Sequence, residues 1–284
     1  SSDLYFNDLL KNKVSVSTIT NIYKLMKPAI RYAYNNDYIR KDFSSAIVLP
    51  KESEQIKMEK NNKQKSFTAK QQELFVNAIK GHKMEVLFLT ALYTGMRQGE
   101  LLALTWDDIN LDEMYIDVNK NVVKTAYVDL DGRGSYKYEV QTPKTLSSIR
   151  RVFIPSLLIE PLQSLKIKQN AHYKKLGNLY NLELNLVFCN SKGYYLDAGN
   201  VRKKFKEVAK EVGAPDVTFH SMRHAYASRL FENNVKDKTV QKLLGHSNIS
   251  TTLNIYTHVQ EEILRSAVNT FEGQKGAKKG QIEI

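Results

Sequence analysis

The sequence has almost no cysteine. Cys189 stands alone among 284 residues, which excludes an internal disulfide framework and any zinc site built from thiolates. A solitary cysteine of this kind is expected to serve as a small buried hydrophobe. Apolar runs are short as well, and none approaches the roughly 18 to 20 residues that a helix needs to cross a bilayer. The chain opens Ser-Ser-Asp, without an initiating Met or the apolar core of a signal peptide. These features are those expected of a soluble cytoplasmic protein cut from a longer chain. Acidic residues are outnumbered: 30 Asp and Glu face 42 Lys and Arg, a formal charge of +12 with a pI near 9.4. That imbalance favours a polyanionic partner, because each phosphate neutralised releases condensed counterions. An acidic membrane surface would compete, but no compact polybasic amphipathic segment supports it. A P-loop is missing too. The adjacent carboxylates Asp107 and Asp108 follow Trp106 in what reads as an exposed turn, whereas metal-assisted strand cleavage needs separated acids converging on cations. No cofactor and no metal are expected.

What is present falls into a small part and a large one. Residues 15–38 read as a helix, with Ile19, Ile22, Tyr23, Met26, Ile30 and Ala33 recurring at steps of three and four. Lys24, Lys27 and Arg31 share another face, either a stripe laid along a nucleic-acid backbone or a solvated surface. Pro28 is expected to kink or divide this helix. Residues 51–66 are polar and charged, and serve as the expected linker. Thr68 and Gln71 have capping-box spacing for the next helix. Helical patterns then cover residues 85–93 and 99–104. Residues 114–155 turn to β character around Tyr115, Ile116, Val118, Tyr138, Val140 and Val152, with Asp131-Gly132-Arg133-Gly134 as turn chemistry. Helical patterns resume near residue 159, and residues 260–271 are amphipathic. The fold class that follows is α+β, a mainly helical domain with a small antiparallel sheet, preceded by a partial helical domain. There is no internal repeat, and residues 273–280 form a Gly/Lys tether.

Five short motifs carry the chemistry. In Thr94-Gly95-Met96-Arg97-Gln98-Gly99-Glu100, an arginine follows a glycine turn at a helix start, where an anion is favoured, and Glu100 lies one turn on, placed to hold its guanidinium. Gln141-Thr142-Pro143-Lys144-Thr145 puts a lysine between two strands, where a tight hairpin would aim its ammonium into a groove. In His220-Ser221-Met222-Arg223-His224, His220 and Arg223 are neighbours on one helical face. His220 and His224 also have the spacing of a metal pair, but Arg223 would then face a cation. Leu244-Gly245-His246-Ser247 and Ile255-Tyr256-Thr257-His258 complete the set. Four of the six histidines lie between residues 220 and 258.

Over residues 67–272 these motifs, in the order Arg, Lys, His-x-x-Arg, His, Tyr, resemble the tyrosine recombinase (phage integrase) family. Residues 1–50 resemble only the later part of that family's core-binding domain, so an arm-binding region would be missing. The resemblance implies a catalytic set of Arg97, Lys144, His220, Arg223, His246 and the nucleophile Tyr256, with Glu100 supporting Arg97. It implies cleavage and rejoining of double-stranded DNA at attachment or core sites, through a 3′-phosphotyrosyl link and a Holliday junction. It further implies a homotetramer on DNA, with an excisionase or host DNA-bending protein as additional partners, in a bacterial cytoplasm. Residues 273–284 would dock on a neighbouring protomer or on their own domain. A mobile-element integrase is the primary expectation, and a chromosome-dimer resolvase the alternative within the family. Outside recombination, a type IB topoisomerase or a non-catalytic architectural protein would account for parts of the pattern.

Overall fold

The computed structural model describes residues 2–54, 66–129, 131–142, 148–250 and 252–253, with backbone alone at residues 2–4. Lys144, Tyr256, the amphipathic stretch 260–271 and the tail 273–284 lie outside the described residues. The chain divides into two compact units, Ser1–Lys63 and Gln64–Ile284.

The first unit pairs α1 (Ser2–Lys11) with α2 (Val16–Asn35). Ser15 starts α2, its hydroxyl accepting from the Thr18 N–H at 3.1 Å, which satisfies a donor that the helix itself cannot. The apolar stripe of α2 is used as its spacing predicts. Ile19 is buried against Phe6 and Ile47, with Ile22, Tyr23, Met26 and Ile30 packed around them, and the Tyr23 hydroxyl donates to the Ser44 carbonyl at 2.7 Å. The helix runs unbroken through Pro28, so the expected division does not occur. A proline at this point removes one backbone bond, and the packed face on both sides of it keeps the helix continuous.

In the second unit, α3 (Ala69–Ala78) opens with the Thr68–Gln71 box, Thr68 Oγ1 accepting from the Gln71 N–H at 3.2 Å. The central helix α4 (Glu85–Thr94) is apolar on nearly every side, the mark of a helix enclosed by others. Its two buried threonines, Thr90 and Thr94, return their hydroxyls to the Val86 and Thr90 carbonyls and so satisfy their own donors. Against α4 pack α5 (Gln98–Ala103), α6 (Ile159–Leu176) and α8 (Ser221–Glu232), while α7 (Ala198–Glu211) meets it through Phe205 on Phe88 and α9 (Asp237–Leu244) packs on α8. Phe67, Phe75, Phe88, Phe205 and Phe219 join α3, α4, α7 and the start of α8, with ring centroids 5.0 to 6.2 Å apart.

The β region forms two sheets. One is antiparallel in the order β1-β2-β5, from β1 (Ile109–Asn110), β2 (Tyr115–Val118) and β5 (Arg150–Phe153); the other is a hairpin of β3 (Asn121–Val128) and β4 (Gly134–Gln141). The strands flanking Lys144 therefore do not pair with each other: β4 pairs with β3 and β5 with β2. The tight hairpin expected around that lysine is corrected accordingly. Asp108 also departs from expectation. It is buried, bound by Lys120 at 2.8 Å and by the Thr105 hydroxyl at 2.7 Å, while Asp107 takes Asn185 at 2.9 Å. Cys189 is half-buried, its sulfur 3.3 Å from Gln169 Nε2 and 3.2 Å from the Tyr180 hydroxyl.

Candidate active site

The site grows out of one turn. α4 ends at Gly95, whose φ of +62° is left-handed, and glycine adopts that conformation without the steric penalty of a side chain. The space is also closed to any larger residue, since a Cβ at Gly95 would stand 2.5 Å from Tyr226 Cδ1. Two residues later Arg97 takes an extended conformation and α5 begins. Glu100, in the first turn of α5, accepts the Arg97 backbone N–H at 2.8 Å and its guanidinium at 2.8 Å. The Arg–Glu pair expected from the spacing is present.

Glu100 has a second partner that the sequence did not single out. Alternation along β5 turns Arg150 and Val152 inward and Arg151 and Phe153 outward. Inward-facing Arg150 grips both carboxylate oxygens of Glu100, at 3.1 and 2.9 Å. Both side chains are about 95% buried, and a bidentate geometry is what such a pair requires. Burial pushes the Glu100 carboxyl up. The hydrogen bonds and charge of Arg150, and then the bonds from Arg97, outweigh burial and hold it below the usual carboxylate range.

The guanidiniums converge on the end of another helix. α9 stops at Gly245, again left-handed at φ +65°, leaving carbonyls without intrahelical partners and a partial negative charge at the terminus. Three consecutive carbonyls each receive an arginine: Leu243 from Arg150 at 2.9 Å, Leu244 from Arg223, and Gly245 from Arg97 at 3.0 Å. Arg223, buried within α8, also donates to the Gly95 carbonyl at 2.8 Å. Burial, then the neighbouring charges of Arg97 and Arg150, push Arg223 down to about 9, so it remains charged at neutral pH. Three guanidiniums thus gather at one helix end with a single carboxylate, Glu100, bound by two of them, leaving two positive charges uncompensated, which is a ready seat for an anion. Arg97 is the more open of them, with 36% of its side chain exposed.

Imidazoles border this seat. His220 sits just ahead of α8, with His224 one turn along, edge-on at 5.0 Å between centroids. Desolvation of the His220 ring, followed by the charges of Arg223 and Arg97, lowers its pKa, so the ring is neutral and able to take a proton. His246 leaves the turn directly after Gly245, and its Nδ1 lies 2.9 Å from Thr252 Oγ1. Burial and then the Arg223 and Arg97 charges push it down to about 3. Among the described residues, no three His, Cys, Asp or Glu gather as a metal site. Of the predicted residues, the structure brings together Arg97, Glu100, His220, Arg223 and His246. Lys24, Lys27 and Arg31 belong to the other unit. There Lys24 is exposed, Lys27 lies over the Tyr23 ring at 5.8 Å, and Arg31 stands 3.9 Å from Asp42.

The match to the Phage integrase family runs over residues 65–262. The chain belongs to this family. It is 38% identical over 270 residues to a protein described as tyrosine recombinase XerC-like from Caldanaerobacter subterraneus subsp. tengcongensis, an alignment covering 94% of this chain and 68% of that protein. It is 26% identical over 283 residues to the integrase of Staphylococcus phage L54a, covering 94% and 77%. Among solved structures, the Tn1549 transposon integrase in complex with transposon right end DNA superposes with a TM-score of 0.67 at 23% identity, over 95% of this chain and 84% of that one. That likeness establishes the α+β fold. The integrase-family chain is accordingly an enzyme, a site-specific tyrosine recombinase of the kind that mobile elements carry.

Proposed function

We propose that the arginine seat binds the scissile phosphate of double-stranded DNA and that Tyr256 attacks it. The observation that carries this reading is the convergence of Arg97, Arg150 and Arg223 on three successive carbonyls, with Arg97 and Arg150 also sharing the Glu100 carboxylate. Preorganised cations of this sort stabilise charge that develops on nonbridging oxygens. Arg97 and Arg223 bind those oxygens, Arg223 still having donors to spare, since a guanidinium carries five. Tyrosine ionises near ~10, so its hydroxyl needs an acceptor for the proton, a role that suits neutral His220. The Tyr256 oxygen forms the new bond to phosphorus as the bond to the 5′-oxygen breaks. Lys144 gives the leaving oxygen its proton, and His246 donates a hydrogen bond to the phosphate. The products are a 3′-phosphotyrosyl link and a 5′-hydroxyl. Attack by the partner strand's 5′-hydroxyl reverses the step and leads through a Holliday junction.

Pairing two sites calls for four such centres, hence a homotetramer on attachment or core sites, with an excisionase or host DNA-bending protein setting direction. Residues 1–50 grip the core site as a partial binding domain, residues 51–66 link the two parts, and residues 273–284 dock on a neighbouring protomer or on their own domain. The setting is the bacterial cytoplasm, on the nucleoid. No helix among the described residues is long and apolar enough to cross a membrane.

The test is nicked suicide DNA, run in excess chelator and resolved on a denaturing gel. Wild-type protein is expected to form a covalent adduct, and Tyr256→Phe to bind the same DNA without forming one. An adduct with the Phe variant, or its loss in chelator, overturns the mechanism. The XerC-like relative favours a second reading, resolution of chromosome dimers; recombination of two identical sites, in preference to two unlike attachment sites, would select it.

A further inference from the structure

His246 enters the site with one ring nitrogen already engaged. Its Nδ1 stands 2.9 Å from the hydroxyl oxygen of Thr252, a residue with no solvent exposure. A buried hydroxyl ordinarily has a partner, and here that partner is the ring. The ring stands beside the Arg223 and Arg97 guanidiniums, and a further positive charge is disfavoured there. A neutral imidazole has one N–H and one lone pair, and the bond made by one nitrogen decides the role of the other. If Nδ1 donates to Thr252, the far nitrogen is an acceptor and repels an anion. If Thr252 donates to Nδ1, the far nitrogen carries the hydrogen and attracts one. Arg97 and Arg223 assemble positive charge for an anion beside this ring, and only the second arrangement cooperates with them.

We propose that Thr252 is a positioning residue, donating its hydroxyl hydrogen to His246 Nδ1 and thereby fixing the ring as an Nε2–H donor toward the phosphate held by Arg97 and Arg223. The proposal rests on the reading of the seat as a phosphate site. The bond also couples two stretches of chain. His246 is anchored by the turn that ends α9, its carbonyl accepting from Gln241 at 3.1 Å, while Thr252 lies four residues ahead of Tyr256 in the sequence. One hydroxyl thus sets the donor and tethers the segment that leads to the nucleophile.

The experiment compares single-turnover cleavage of nicked suicide DNA by wild-type protein, Thr252→Val, Thr252→Ser, His246→Ala and the double variant His246→Ala with Thr252→Val. Valine keeps the shape and removes the hydroxyl, so T252V should slow cleavage by about 10- to 100-fold, the cost of a misplaced catalytic group. T252S should recover most of the rate. In the His246→Ala background T252V should cost nothing further, because residues that act as a unit are not additive. Nitrogen NMR of the wild-type imidazole should report the Nε2–H tautomer. Wild-type cleavage by T252V, a multiplicative loss in the double variant, or an Nδ1–H tautomer overturns the proposal. Should T252V fail to fold, the tautomer in wild type and T252S decides. An absent adduct in the wild type would instead sink the phosphate reading, and the nitrogen shifts would then judge Thr252 alone.

Discussion

Glu100 and Arg150 form the pair whose removal should be felt most strongly. Each is nearly sequestered from water, and an ion in that position is tolerated only while its partner stays. In Arg150→Met, Glu100 keeps Arg97 but loses its bidentate grip, and the Leu243 and Ser148 carbonyls lose a donor. Destabilisation of about 3 to 5 kcal/mol is expected at neutral pH, measured as a shift in urea midpoint. The cost should depend on pH in a defined direction. Arg150 helps hold the folded-state carboxyl below its usual range, so the stabilisation is complete above the unfolded pKa and is lost as pH falls through the folded one. The gap between wild type and variant should therefore narrow in acid; a gap that is constant or grows there would rule out the carboxylate as its source. Half of this cluster was legible in the sequence, because Arg97 and Glu100 are three residues apart and a helix brings them together. Arg150 lies 50 residues from Glu100, and only the packing of β5 beside α5 makes them partners. Thr252 likewise offered no signal of its own.

Helix ends supply most of the site's geometry, and two of them turn on a left-handed glycine. Gly95→Ala imposes a strained φ, costing about 1 to 2 kcal/mol, and drives its methyl into Tyr226 and toward Leu244. A melting temperature lowered by roughly 2 to 8 °C is expected, at ~2 to 4 °C per kcal/mol for a domain of this size. Cleavage should fall further than stability alone explains, since the Gly95 carbonyl receives Arg223. Unchanged melting by calorimetry would show that the turn relaxes freely. Elements with strong local chemistry were legible: the Thr68–Gln71 box, the apolar face of α2, the turn between β3 and β4. The division expected at Pro28 does not occur, because tertiary packing outweighs one lost backbone bond. β3 escaped separate notice because it is exposed along most of its length and lacks an alternating pattern. The hairpin expected between the strands that flank Lys144 fails for a related reason. Neighbouring strands in the sequence invite a hairpin, yet β4 and β5 pair with different partners, a distinction that only long-range register contains.

At the scale of the whole molecule, the charge of +12 is informative only through where it is used. The seat proposed for Arg97 and Arg223 would act on one phosphate, whereas affinity for a duplex accumulates over many, and each neutralised phosphate adds about 0.9 to the slope of log affinity against log salt. The stripe on α2 separates these contributions because it belongs to the unit that lacks the arginine seat. Replacing Lys24, Lys27 and Arg31 together by alanine should flatten the slope by at most about 2.7 if all three touch phosphates. The Asp42 neighbour of Arg31 reduces this little, since a pair at 3.9 Å with an exposed arginine is weak and easily exchanged. Lys27 lies over the Tyr23 ring at 5.8 Å, but the apolar side chains packed around Ile19 are left in place by the three substitutions, so folding should survive. Once DNA is saturating, the single-turnover cleavage rate should match wild type, because chemistry resides in the other unit. Filter binding across a salt series, paired with cleavage at saturation, checks both halves. An unchanged slope would make the stripe a solvated face, while a flattened slope with slowed saturated cleavage would mean that α2 also helps to align the phosphate in the arginine seat.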